Sequence, residues 1–172
     1  QNPVFQNYDL YLSSSIQGVK FFEEYGKVKA FFLSLATNPD RFQAGRQRPE
    51  WRSRFCFTGN RIEEEREIER SLAPHQFPYK FALFGKGWSK PHPFSPFWKG
   101  VIPYEEIPDA YASTDIVIDD AVESSVKAWG SLTSRVFDAL GAGKLVISNN
   151  PEAAHFFKKA IRLQEKYAKG KR

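Results

Sequence analysis

Residues 130–150 read Gly130-Ser-Leu-Thr-Ser-Arg135-Val-Phe-Asp-Ala-Leu140-Gly-Ala-Gly-Lys-Leu145-Val-Ile-Ser-Asn-Asn150, and the fold is decided here. The stretch is a polar turn, a short helix, a small-residue break and a strand. Thr133 is placed to cap the helix, because its hydroxyl can accept from the free N–H groups of a first turn. Val136, Phe137 and Leu140 fall on one helical face. Gly141 and Gly143 end the helix, since glycine adopts the left-handed C-terminal conformation without penalty. The run Lys144 to Ser148 is β-branched and short, as in a strand buried on both faces. A helix N-terminus is a natural anion site, with unpaired N–H groups at the positive end of the dipole. Arg135 adds a planar donor fork suited to phosphate. Asp138, three residues on, shares its face and can accept from sugar hydroxyls. One reading is therefore a nucleoside diphosphate held by Ser131, Leu132, Thr133, Ser134 and Arg135, with its ribose on Asp138. The same letters also suit a plain helix–strand unit with an Arg135–Asp138 ion pair, and the local pattern leaves both open.

Working outward, strands and helices alternate, which predicts an α/β fold with a Rossmann-like, doubly wound parallel sheet. Before the motif, strands are expected near Tyr8–Ser15, Val28–Leu35, Phe55–Thr58, Tyr79–Phe84, Lys99–Ile102 and Asp115–Asp120. Helices are expected near Ile16–Tyr25, Ile62–Leu72 and Pro103–Ser113, with a last one opening at Asn150-Pro151. In open sheets of this kind ligands bind at the carboxyl ends of the strands. Gly59, Arg61, Lys86, Tyr104, Asp119 and the 131–135 turn all fall at such ends. Lys86 lies between Gly85 and Gly87, where it either reaches a phosphate or is a solvent-facing turn lysine. Residues 43–54 carry Arg46, Arg48, Arg52 and Arg54 around Trp51 and read as a linker or surface loop. Nothing in that stretch matches a nucleic-acid-binding motif.

Composition sets the outer limits. A chain of 172 residues with 41% hydrophobic and 16% aromatic content supports a folded core. The net charge of +5 suits phosphorylated ligands or anionic surfaces. One cysteine, Cys56, excludes an internal disulfide and a cysteine-rich metal site. The adjacent acids Asp119-Asp120 and the three scattered histidines have no metal-ligand spacing, so no metal is expected. No apolar run is long enough for a membrane span, and the reading is a cytoplasmic protein, with contact at a membrane surface left open. Gln1 in place of an initiator methionine points to a trimmed, processed or excised piece.

The string Gly130-Ser131, Arg135, Phe137-Asp138-Ala139-Leu140 and Gly143 resembles the donor-site signature of GT-B glycosyltransferases of group 1, in the branch that includes the CgeB-like spore-maturation proteins. The resemblance extends from about Tyr8 to the end of the chain. It implies that residues 1–42 are a remnant of the acceptor-side domain, 43–54 a linker and 55–172 the nucleotide-sugar-binding domain. It further implies metal-independent glycosyl transfer from a nucleoside-diphosphate sugar, with no cofactor, no nucleic-acid partner and an acceptor yet to be identified. Cell-surface polysaccharide is the expected setting. Gly59 and Arg61, with Arg66 as a second choice, and Lys86 join the 131–135 turn at the diphosphate, and Ile102 and Tyr104 become neighbours of the nucleobase. One departure stands out: the family's Glu-x7-Glu pattern has Asp138 in its second slot but Gly130 in its first. Asp119, Asp120 or Glu123 are the acids near enough in sequence to replace the missing one. The alternative to an enzyme is a sugar-nucleotide-binding module without transfer activity.

Overall fold

The computed structural model describes residues 5, 7–43, 45–62, 65–120 and 132–150. Backbone contacts divide the chain into two compact units, the first containing residues 1–34, 124–132 and 149–172, the second residues 35–123 and 133–148.

The described part of the first unit is a β–α–β turn of chain. Strand β1 (Tyr11–Ser13) pairs in parallel with β2 (Ala30–Phe32), Leu12 opposite Phe31. Between them α1 (Ile16–Phe21) is capped by Ser15, whose hydroxyl accepts from the Gly18 N–H at 2.9 Å. A wider π-type turn, Phe22–Gly26, continues α1 and ends at Lys27 in the left-handed conformation. Sequence placed these three elements correctly, though the strands are shorter than expected.

The second unit holds a four-stranded parallel sheet in the order β4-β3-β5-β6, formed by β3 (Ser53–Thr58), β4 (Phe81–Phe84), β5 (Thr114–Asp119) and β6 (Leu145–Ser148). The helices are α2 (Pro39–Phe42), α3 (Glu67–Ser71), α4 (Ile107–Ala112) and α5 (Ser134–Gly141). The fold is thus α/β with a Rossmann-like parallel sheet. Alternate residues of β3 and β4 feed two cores on opposite faces. Cys56, Ala82 and Phe84 join Phe42, Trp51, Tyr111, Val117 and Ala139 on one side. Phe57, Phe81 and Leu83 join Ile68, Trp88 and Phe94 on the other. That two-sided burial is why these strands read as unbroken apolar runs rather than as alternating ones.

Several sequence expectations are corrected. β6 is not buried on both faces: Leu145 and Ile147 are exposed, and β6 pairs with β5 alone. Helix α5 buries Val136 and Ala139, whereas Leu140 faces out. Its end follows the expected chemistry. Gly143 has φ +70°, the Lys144 N–H reaches the Ala139 carbonyl at 2.9 Å and the Gly143 N–H reaches Leu140 at 2.9 Å, the paired bonds of a Schellman cap. Helix α3 is shorter than its charge pattern suggested, because Arg61, Ile62, Glu65 and Arg66 are not helical. Lys99–Ile102 makes no strand, only a bridge between Trp98 and Leu83. The 43–54 stretch does not hang as a loose linker. The Arg46 N–H and the Arg48 Nε each donate to Asp109 at 2.8 Å, and the Arg48 guanidinium lies 4.3 Å over the buried ring of Trp51. Its last two residues, Ser53 and Arg54, already belong to β3. Residues 121–131, including Ser131 and Glu123, and the helix expected after Asn150 lie outside the described residues.

Candidate functional site

From β3 the chain passes to β4 on one side of it, and returns to β5 on the other. The reversal leaves a crevice beyond the carboxyl ends of β3 and β5, the place where open parallel sheets bind ligands. Thr58 and Gly59 stand at one lip, Asp119 and Asp120 at the other, and the first turn of α5 follows in space.

Arg135 crosses this crevice. Its Nε donates to the Thr58 carbonyl at 2.6 Å, and its Nη1 donates to Asp119 Oδ1 at 2.7 Å and to the Asp120 carbonyl at 3.2 Å. The guanidinium packs 4.5 Å from the Phe57 ring. The side chain is 11% exposed. The expected open fork is therefore not on offer, since two of the three nitrogens are used inside the protein. Nη2 takes no hydrogen bond among the described residues, and it is the one guanidinium nitrogen that the Thr58, Asp119 and Asp120 contacts leave over. It lies against Gly59, where an added Cβ would stand 2.7 Å from it. The expected Arg135–Asp138 pair does not form.

Asp119 is the hub. Its Oδ1 accepts from the Thr133 hydroxyl at 2.5 Å as well as from Arg135, and its Oδ2 accepts from the Ser148 hydroxyl at 2.7 Å. Thr133 occupies the N-cap position with extended backbone, as expected, but its hydroxyl goes to Asp119 and gives the helix no side-chain cap. Ser134 at the same turn is exposed and Leu132 is buried. Asp120 is consumed as well: both of its carboxylate oxygens meet the Arg66 guanidinium, and the Ile68 N–H donates to Oδ2 at 3.2 Å. Neither acid is thus free to stand in for the missing acid of the family pattern. The partners arise from residues distant in sequence, so spacing within the motif gave no sign of them.

Arg61, the first-choice cation, is held at 3.1 Å by Glu69 rather than by Glu65. Glu69 also takes the His92 Nε2 at 2.6 Å, which makes His92 a partnered loop histidine beside a hollow of about 370 Å³ away from the crevice. Lys86 is exposed at the tip of the β4 loop. The glycines beside it serve a different purpose from the one expected. A Cβ on Gly85 would stand 2.2 Å from the Gly59 carbonyl oxygen and one on Gly87 1.9 Å from that of Arg61. They let two loops, not a phosphate, come close. The Gly59 N–H reaches the Phe84 carbonyl, the Arg61 N–H that of Lys86, and the Lys86 N–H the Asn60 side chain, all within 2.9 Å. Trp88 and Trp98 brace the same loops by donating to the carbonyls of Gly59 and Gly85, each at 2.8 Å.

Beside these loops lies a cavity of about 210 Å³ whose lining includes Thr58, Gly59, Asn60, Gly85, Ile102 and Tyr104. It brings together three of the predicted residues, Gly59, Ile102 and Tyr104. The Thr58 hydroxyl at its edge meets the buried Tyr111 hydroxyl at 2.9 Å. Asp138 is buried and takes the Thr37 hydroxyl at 2.7 Å. Burial raises its carboxyl above the ordinary value, against the Thr37 and Tyr104 hydroxyls and the Arg41 and Arg135 charges that lower it. Tyr104 therefore links Asp138 to the cavity, and Arg41 lies 4.9 Å over the Tyr104 ring. Among the described residues no group of three or more His, Cys, Asp or Glu is arranged to hold a metal ion, and no helix is long and apolar enough to cross a membrane.

A parallel α/β domain with its polar residues gathered at a topological switch point belongs to the class that binds ligands at the sheet's carboxyl rim. A family model described as glycosyl transferase-like matches residues 59–166, well over half of the chain, and the protein belongs to that family. No curated protein matches it.

Proposed function

We propose that the second unit is the donor-binding domain of a GT-B glycosyltransferase of group 1, in the CgeB-like branch, and that residues 1–42 are the end of its acceptor-side domain. The observation that carries this reading is the convergence at one rim of the Arg135 Nη2 edge, the uncapped first turn of α5, Lys86 and the cavity formed by Gly59, Ile102 and Tyr104. In this arrangement a nucleobase enters the cavity against Ile102 and Tyr104. The diphosphate then spans the rim towards Gly59 and residues 133–135, and Asp138, reached through Tyr104, serves the ribose or sugar.

Glycosyl transfer requires stabilisation of the negative charge that develops on the departing nucleoside diphosphate. Preoriented amides, a fixed guanidinium edge and a lysine supply it without a metal ion. The metal-independent route is supported by the burial of Asp119 and Asp120 and by their pairing with arginine, threonine and serine side chains, which already compensates their charge. Arg61 contributes only after leaving Glu69. The donor is a nucleotide sugar, with a glycan, lipid or protein acceptor, and the setting is the cytoplasm or the face of a membrane.

Isothermal titration calorimetry with UDP, GDP and ADP and their sugars tests the reading. Binding of one nucleoside diphosphate at micromolar to millimolar strength is expected, and silence towards all of them would overturn it. Release of nucleoside diphosphate in the presence of an acceptor separates a transferase from a binding module.

A further inference from the structure

We infer that Asp119 is a positioning residue for the donor diphosphate: it sets the guanidinium of Arg135 and the first turn of α5 in one fixed relation at the switch point. The inference rests on the donor reading above and adds to it the device that holds the site in shape.

Three features of the geometry carry it. Asp119 has a side chain of 0% exposure and sits at the last residue of β5, so it cannot itself meet a ligand. Its two oxygens gather side chains from three places: Thr133 before α5, Arg135 within it and Ser148 at the end of β6. The Thr133 hydroxyl is drawn away from its ordinary capping role, which leaves the helix without a side-chain acceptor at that end. Finally, Gly59 leaves room for Nη2 where any Cβ would collide with it. The carboxylate thus fixes Nη1 while the Thr58 carbonyl fixes Nε, and the third nitrogen is left lying against Gly59. A carboxylate that only balanced a buried arginine would have no need of the cap hydroxyl.

The test compares wild type, Asp119→Asn, Arg135→Ala and the double variant by calorimetry with UDP, GDP and ADP, with folding checked by circular dichroism and urea unfolding. The amide preserves the shape of Asp119 but removes its charge. Affinity is expected to fall about tenfold in Asp119→Asn, the effect of one charge-assisted hydrogen bond. The double variant is expected to bind no worse than Arg135→Ala, because the acid acts through the arginine. Nitrogen-edited NMR should show the Arg135 Nη1 protons, which Asp119 holds, exchanging faster in Asp119→Asn. A folded Asp119→Asn protein with wild-type affinity, or losses that add in the double variant, would overturn the inference while leaving the donor reading intact. Should Asp119→Asn not fold, Ser148→Ala removes the hydroxyl that donates to Oδ2 and leaves the carboxylate itself in place. A weaker affinity of about threefold then supports the role, and unchanged affinity overturns it. If wild type binds none of the three nucleotides, the donor reading falls and this inference with it.

Discussion

Thr37 donates its hydroxyl to Asp138 at 2.7 Å across 101 residues of sequence. The contact ties the segment ahead of α2 to the middle of α5, and it leaves the acid buried. An acid whose value is raised by folding gives its full support to the fold below its unfolded value. It loses that support as pH rises through the folded value. Asp138→Asn should therefore be less stable than wild type near pH 4 by a margin that shrinks, or reverses, towards pH 7. Urea unfolding at both pH values checks this, and parallel behaviour of the two proteins would contradict it.

The Arg66–Asp120 pair predicts a larger and simpler effect. Asp120 has a side chain only 3% exposed and that of Arg66 is 14% exposed. Removing the cation leaves the buried carboxylate with the Ile68 N–H at 3.2 Å and the more distant Arg135 guanidinium at 3.8 Å. Arg66→Ala is expected to cost about 3–5 kcal/mol, as for other broken buried pairs. Chemical denaturation measures it, and a loss below about 1 kcal/mol, the size of an exposed pair, would show that the charge is solvated.

Gly85 and Gly100 have similar backbone angles, φ +132° and +108°, but different surroundings. A Cβ at Gly100 meets nothing within 4 Å, whereas at Gly85 it meets the Gly59 carbonyl at 2.2 Å. Gly100→Ala should cost about 1–3 kcal/mol for backbone strain alone. Gly85→Ala should cost at least about 1 kcal/mol more, from forced separation of the two loops. Equal midpoints in a urea titration would mean that the lacing of these loops adds nothing.

Lys86 offers a binding test free of folding effects. Its side chain is exposed, while its backbone N–H donates to Asn60 and its carbonyl accepts from Arg61, contacts that alanine keeps. Lys86→Ala should leave stability within about 0.5 kcal/mol of wild type and weaken nucleoside diphosphate binding. Wild-type affinity in calorimetry would assign this lysine to the turn and not to the ligand.

Cys56 lies in the core with its thiol pushed up to about 12 by burial, opposed by a bond to Thr114 and by the Arg135 and Lys144 charges. The thiolate is the reactive form. Native protein at pH 8 should resist iodoacetamide, while unfolded protein should be alkylated, as mass spectrometry would record.

Local signals carried the fold well. The β-branched and aromatic runs marked β3, β4 and β5, and the glycines after α5 marked its end, because those features depend on neighbours in sequence. The site was legible only in its position. Gly59 and Tyr104 were placed by the strand-end rule and Ile102 by the family resemblance, and the three line one cavity. The partners of Arg61, Arg66 and Arg135 were not found, since each is an acid 8–54 residues away whose approach is set by packing. Spacing suggested Asp138 as a partner of Arg135, and tertiary structure chose Asp119 instead. At Gly85 and Gly87 the sequence marks a loop around Lys86, and only packing shows that these glycines admit the backbone of Gly59 and Arg61.

Arg61 with Glu69, Arg66 with Asp120 and Arg135 with Asp119 make three matched couples around the rim. Although the protein is cationic as a whole, this neighbourhood has little charge of its own, and an arriving anion would be held by the direction of donors rather than by a broad field. Ligand capture there should consequently vary little between dilute buffer and physiological ionic strength, unlike capture by an open basic surface.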